Sequence, residues 1–259
     1  MWRRFSRSAR VRAGLRRVGL AVVWPAWTYT AVFVLGGLLG GLLVYMSASQ
    51  LGIELDDSPL TMMVLSVVIY AVGLTVLLIE PYAVRRMTMA TIAKLLGIYR
   101  RPRWHDSGVM IVGWAGYLTL ALAVMAAIAS YLPTVDLTQH QQIGFTTDGS
   151  MWDKLYAFVV IVIAAPIVEE TVFRGYLQGN LRRTMPWWLG ALITSSLFGY
   201  VHGQWNVGID TFIMSMVACY LREQTGAIWS GIGLHMMKNS IAYYLLFFAP
   251  PWVVKLLGG

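Results

Sequence analysis

The sequence has little charge and almost no cysteine. Only 12% of its 259 residues are Asp, Glu, Lys or Arg, about half the usual share in a soluble domain. Apolar residues make up 58%, so too few polar side chains remain to cover a water-facing surface. That excludes an ordinary soluble fold and leaves a multi-spanning membrane protein. The single cysteine, Cys219, excludes an intrachain disulfide and a cysteine-rich metal site. It lies in an apolar stretch and reads as a small buried packing residue. There is no low-complexity tract and no internal repeat of the kind common in transporters. The apolar runs take up nearly the whole chain, leaving no room for a large soluble domain.

The charge that is present is unevenly placed. Lys and Arg number 20 against 12 acids, for a net charge of +8. Seven arginines fall in MWRRFSRSARVRAGLRR, and others cluster in RRMTMATIAKLLGIYRRPRW and LRR. Nucleic-acid binding could use such patches, but in so apolar a chain they read as topogenic, marking loops held in the cytoplasm. No nucleic-acid partner is expected. The N-terminus lacks the pattern of a cleaved signal: its basic part is long, and a full span follows with no small-residue cleavage site.

The hydropathy pattern predicts an all-α, polytopic helical bundle. Seven spans are expected, at about 27–48, 60–80, 107–132, 153–178, 187–206, 208–222 and 225–248, most within the 17–25 residues that cross hydrocarbon. An eighth, short or re-entrant segment near the C-terminus would fit the sparse charge there. Residues 1–26 form a basic N-terminal arm whose end, with Pro25, reads as a kinked lead-in. Residues 27–149 hold the first spans and a basic connection, 150–248 a second group of spans, and 249–259 a tail. The loops place the N-terminus in the cytoplasm of a multi-pass protein of the plasma membrane: QLGIELDDSP has no Lys or Arg, whereas 82–106 is basic. Residues 83–104 mix basic and apolar positions at near-helical spacing, which fits a helix on the anionic inner leaflet or a plain cytoplasmic connection. In span one, Gly36, Gly37, Gly40 and Gly41 make two overlapping small-xxx-small pairs, read as packing within the bundle.

Ionisable residues inside spans are costly and face the bundle interior. Span four carries Glu169, Glu170 and Arg174. Span five has His202, span six Asp210, and span seven His235, Lys238 and Asn239. His105 and His140 fall in loops and are expected to be solvated. Glu170 and Arg174 are four apart and can pair on one helix face. Glu169 is turned about 100° away, with no partner on its own helix. Other helices offer Phe198 and His202, and His235 and Asn239, again four apart. A carboxylate tuned by burial and by nearby cations can take a proton from water. A histidine opposite can hold that water, and His235 with the Asn239 amide can donate to an oxygen that becomes negative. These are the parts for amide hydrolysis by activated water, with no serine or cysteine nucleophile needed.

EETVFRG is similar to an EExxxR motif, FGYVH to FxxxH and HMMKN to HxxxN. Across roughly 150–245 the order and spacing of these motifs resemble the CAAX prenyl protease type II and bacteriocin-processing family of intramembrane endopeptidases, often called CPBP or Abi. The resemblance implies an endopeptidase cutting a membrane-associated protein or peptide. Glu169 would be the base that activates water, with His202 beside it. His235 and Asn239 would stabilise the oxyanion, and Glu170 with Arg174 would hold the site together. The alternative function is a non-catalytic bacteriocin-immunity or membrane scaffold protein of the same fold. A glutamate mechanism without metal or other cofactor is favoured. Zinc held by Glu169, His202 and His235, leaving Glu170 as base, is the alternative, although the HExxH signature is missing.

Lys238 stands where an uncharged residue is expected. It should snorkel or pair with Asp210; if it reached the site it would lower the Glu169 pKa and repel a zinc ion. Counting about 1.5 Å per residue puts Glu169 toward the cytoplasmic side and His202 toward the outer side. They meet only if span four overshoots its expected end or the helices tilt, and Pro166 could supply a bend.

Overall fold

A computed structural model describes residues 7–132, 134, 145 and 147–249. Among them there is helix and no strand. The first helix, α1, runs without a break over 7–51 as Arg7–Tyr29, a wider π-type stretch Thr30–Leu35, and Gly36–Leu51. The lead-in expected before residue 27 is therefore continuous with span one, and Pro25 sits inside the helix. Ser58 then accepts from the Thr61 backbone at 3.3 Å, and Pro59 occupies the first helical position. That cap starts α2, Pro59–Val84. Next come α3, Met89–Leu96, and α4, Trp104–Tyr131. Ser150 and Asp153 cap one another's turn to start α5, Met151–Leu181. Three shorter helices follow: α6, Trp187–Tyr200; α7, Trp205–Thr225; and α8, Trp229–Phe247.

Among the described residues four helices are long and apolar enough to cross a membrane: Gly19–Leu51, Pro59–Val84, Trp104–Tyr131 and Met151–Leu181. They correspond to the first four expected spans, and the chain is a membrane protein on this reading. The last three expected spans correspond to α6, α7 and α8, with changed limits. His140 lies outside the described residues. His105 is not in a loop but in the exposed first turn of α4.

Close approach is set by small residues. A Cβ on Gly36 would lie 2.8 Å from Gly73 Cα, and one on Gly40 would lie 2.9 Å from Ile69 Cα, so this pair seats α1 on α2. Gly37 and Gly41, one step round the helix, have nothing within 4 Å of a notional Cβ. The two overlapping pairs in the sequence are therefore different: one is an internal contact and the other faces outward.

The basic connection also departs from expectation. Its helix covers only Met89–Leu96 and buries Ile92, Leu95 and Leu96 within the protein. The connection is then tied down at the turn between α7 and α8. Arg100 grips Asp106 through both carboxylate oxygens at 2.6 and 2.7 Å, and Trp229 donates to the Arg100 carbonyl at 2.7 Å. The core lies where α5, α6, α7 and α8 meet; its fully buried large side chains include Phe173, Arg174, Tyr176, Phe198, Met214 and Leu234.

Candidate active site

The site is built on an irregular stretch of α5. Val159–Ala164 and Glu170–Gln178 are π-helical, and the α-helical turn Ala165–Glu169 lies between them. Such wide turns occur often at functional sites. The sequence explains one consequence. In the first wide stretch Ala165 N–H bonds to Val160 O, a five-residue step. The next carbonyl, that of Ile161, would take its bond from residue 166, which is proline and has no N–H. The missing donor comes from α8: Asn239 Nδ2 bonds to Ile161 O at 2.8 Å. One amide hydrogen of Asn239 is thus spent on the backbone, and the second remains available.

Glu170 is wholly buried, with Oε1 2.9 Å from Arg174 Nη1 and 3.1 Å from His235 Nδ1. A carboxylate can only accept, so Nδ1 carries the shared proton and Nε2 is left for other work. That Nε2 lies 3.9 Å from Glu169 Oε2. Glu169 is 20% exposed at its side chain, against 0% for Glu170, which leaves it the more accessible of the two. The partner that Glu169 lacks on its own helix is therefore on α8. Gly231, one turn before His235, leaves room for the buried carboxylate: a Cβ there would sit 2.7 Å from Glu170 Oε2.

His202 lies just past the end of α6, in the turn to α7. Its Nδ1 is 2.7 Å from Phe198 O. The carbonyl accepts, so Nδ1 is the protonated nitrogen and Nε2 is free. Glu169, Lys238 and His235 all lie within electrostatic range of the ring. The turn is tight because Gly203 adopts φ 73°, and α6 and α7 nearly touch: a Cβ on Gly199 would lie 2.6 Å from Gly208 O. The difficulty of depth is met from both sides. Helix α5 runs on to Leu181, beyond the expected 178, and α6 ends at Tyr200, short of 206.

Phe198 is the hub of the three motifs, a role the sequence did not reveal. Its ring carries the Arg174 guanidinium at 4.3 Å, abuts His202 at 4.8 Å and meets His235 edge-on at 5.8 Å. Its place four residues before His202 was the available signal. Tyr70 of α2 was also missed; it lies within electrostatic range of Glu169. Lys238 is held away from the carboxylates: Nζ is 2.9 Å from Asp210 Oδ2, and Asp210 Oδ1 accepts from Tyr117 at 2.6 Å. Cys219 is buried beside Ser195. Among the described residues no group of three His, Cys, Asp or Glu side chains is spaced to hold a metal ion.

Residues 151–241 match the family profile described as type II CAAX prenyl endopeptidase Rce1-like. That stretch is similar to the Rce1-like family. Its limits enclose α5 to α7 and the motif-bearing part of α8, so all three sequence motifs fall inside it. The chain is 34% identical over 99 residues to the Escherichia coli "Uncharacterized 24.3 kDa protein", covering 36% of this chain and 46% of that one. It is 32% identical over 82 residues to the Bacillus subtilis (strain 168) "Putative membrane peptidase YdiL", covering 32% of this chain and 34% of that one. The matches thus span less than half the length of either relative. No solved structure matches the chain.

Proposed function

We propose that the chain is an intramembrane endopeptidase that hydrolyses a peptide bond in a membrane-associated protein or peptide. The supporting observation is one cluster drawn from three motifs: Glu169 faces His235 Nε2 at 3.9 Å, buried Glu170 holds the other imidazole nitrogen, and the Phe198 ring lies 4.8 Å from His202 and 5.8 Å from His235. The Rce1-like match over the same residues supports the reaction class. Glu169 takes a proton from water as the oxygen adds to the scissile carbonyl carbon. His202, braced through Nδ1, orients that water through Nε2. The carbonyl oxygen becomes an anion. His235 donates to it through Nε2, and Asn239 through its second amide hydrogen. The proton on Glu169 then passes to the departing amine as the C–N bond breaks, leaving an acid and an amine. Arg174 pairs with Glu170, and Glu170 fixes His235. Asp210 and Tyr117 keep Lys238 from neutralising the base. No step runs through a metal or other cofactor.

The substrate class follows from place: a segment within or against the bilayer, with a prenylated C-terminal peptide the form suggested by the family description. The N-terminus lies in the cytoplasm and the plasma membrane is the host bilayer. The test is cleavage of membrane peptides by purified protein. Glu169→Gln preserves shape and removes the base, so cleavage should fall about 100-fold or more while the protein stays folded. Undiminished turnover in that variant would overturn the assignment of Glu169 as base, and no cleavage by the wild-type protein would favour the scaffold role.

A further inference from the structure

Away from the carboxylate cluster, a cavity of about 430 Å³ opens where α3, α5 and α7 end. Its charged lining residues are Lys94, Arg182, Arg183, Arg222 and Glu223. Four are cations and one is an anion, so the lining is net +3. The single carboxylate is already engaged: Glu223 Oε2 accepts from Arg182 Nε at 2.9 Å. Arg222 directs its guanidinium to the backbone carbonyls of Arg174 and Leu95, and no carboxylate among the described residues pairs with it. Lys94 and Arg183 are exposed and have no ion pair among the described residues. The cavity thus concentrates positive charge that nothing described in the protein neutralises.

Its level in the molecule is set by two candidate spans. Helix α2 leaves its apolar run at Val84 and α5 leaves its own at Leu181. Arg85 Nη1 donates to Asn180 Oδ1 at 2.9 Å, so both ends lie at one height. Beside them Tyr82, Val84 and Met89 are exposed at 58%, 72% and 66%. Exposed apolar side chains next to clustered cations at the end of two spans are what a membrane–water boundary presents. Basic pockets at that boundary take phosphate-bearing head groups.

We propose that this cavity binds a phosphate-bearing anion, supplied by the head group of an anionic lipid at the membrane surface. Lys94 and Arg183 contact the phosphate from the open side, Arg222 forms the cationic floor, and Met87 and Leu95 face the apolar part of the ligand.

The experiment uses the full chain and the double variant Lys94→Gln/Arg183→Gln, whose two positions are exposed and unpaired, so folding is unaffected. Both proteins are purified in neutral detergent from vesicles of phosphatidylcholine with phosphatidylglycerol, and bound lipid is measured by mass spectrometry. In parallel, the melting temperature is followed with inorganic pyrophosphate against sodium chloride at matched ionic strength. The wild-type protein should retain phosphatidylglycerol over phosphatidylcholine, and the double variant should lose roughly thirtyfold of that preference. Stabilisation by pyrophosphate without lipid retention, lost in the variant, would support the phosphate site but assign it to a soluble ligand. Neither effect in the wild-type protein, or equal effects in the variant, would overturn the proposal.

Discussion

At the scale of single residues, the carboxylates next to one another in the sequence have unlike surroundings. Glu170 is enclosed and bound to two partners, while Glu169 keeps some access and meets His235 at longer range. Removing Arg174 would strand a buried carboxylate. Arg174→Ala should therefore cost about 3–5 kcal/mol of stability, read as a lower melting temperature in detergent together with lost cleavage. Unchanged melting would show that the pair is not the brace described. Asn239 carries two burdens. Asn239→Ala should slow cleavage by roughly 10²–10³ if the amide serves the oxyanion. It should also destabilise the protein by about 1–3 kcal/mol, because Ile161 O loses its donor. Full turnover measured well below the melting temperature would leave Asn239 with the backbone role alone.

At the scale of helices, the glycine stripe on α1 gives the clearest test. Gly40→Leu must push against the Ile69 backbone of α2, whereas Gly41→Leu meets open space. The first should lower the melting temperature by several degrees and the second should leave it within error; equal responses would show that the helices do not pack this way. The sequence carried both glycine pairs without distinguishing them, because neighbouring residues on a helix differ only in which way they face. Much else was legible. The apolar runs marked the four long helices, and the i, i+4 spacing marked the pair of Glu170 and Arg174. The widened turns of α5 were not legible, since their winding depends on tertiary partners such as Asn239, which lies 78 residues from Ile161. The same holds for Phe198: a phenylalanine in an apolar helix looks like any core residue until the rings and guanidinium around it are placed. The surface helix expected over 83–104 shrank to Met89–Leu96, because Ile92, Leu95 and Leu96 found protein to bury against.

At the scale of the molecule, α1, α2 and α4 supply long apolar walls, while α5 and the shorter helices after it carry the candidate reactive groups. Cleavage is expected to survive prolonged chelation, with no stoichiometric metal in the purified protein. The reason is geometric: His235 Nδ1 is committed to Glu170, and no group of three suitable side chains converges among the described residues. Stoichiometric zinc, with activity lost to a chelator and restored by zinc, would reverse that expectation and move the role of base to Glu170.

The shortness of α6 has a mechanical effect on the surrounding lipid. Its 14 residues reach about 21 Å, against roughly 30 Å of hydrocarbon in a typical bilayer, while the 26 residues of α2 exceed that thickness. Trp188, Leu192 and Tyr200 are exposed along this short wall. Acyl chains beside it have less apolar height to match than those beside α2, so the bilayer is drawn thin on one flank and kept thick on the other. The thin flank is the one that ends at His202. A peptide bond brought in from that side would have less oil to leave before it reached water.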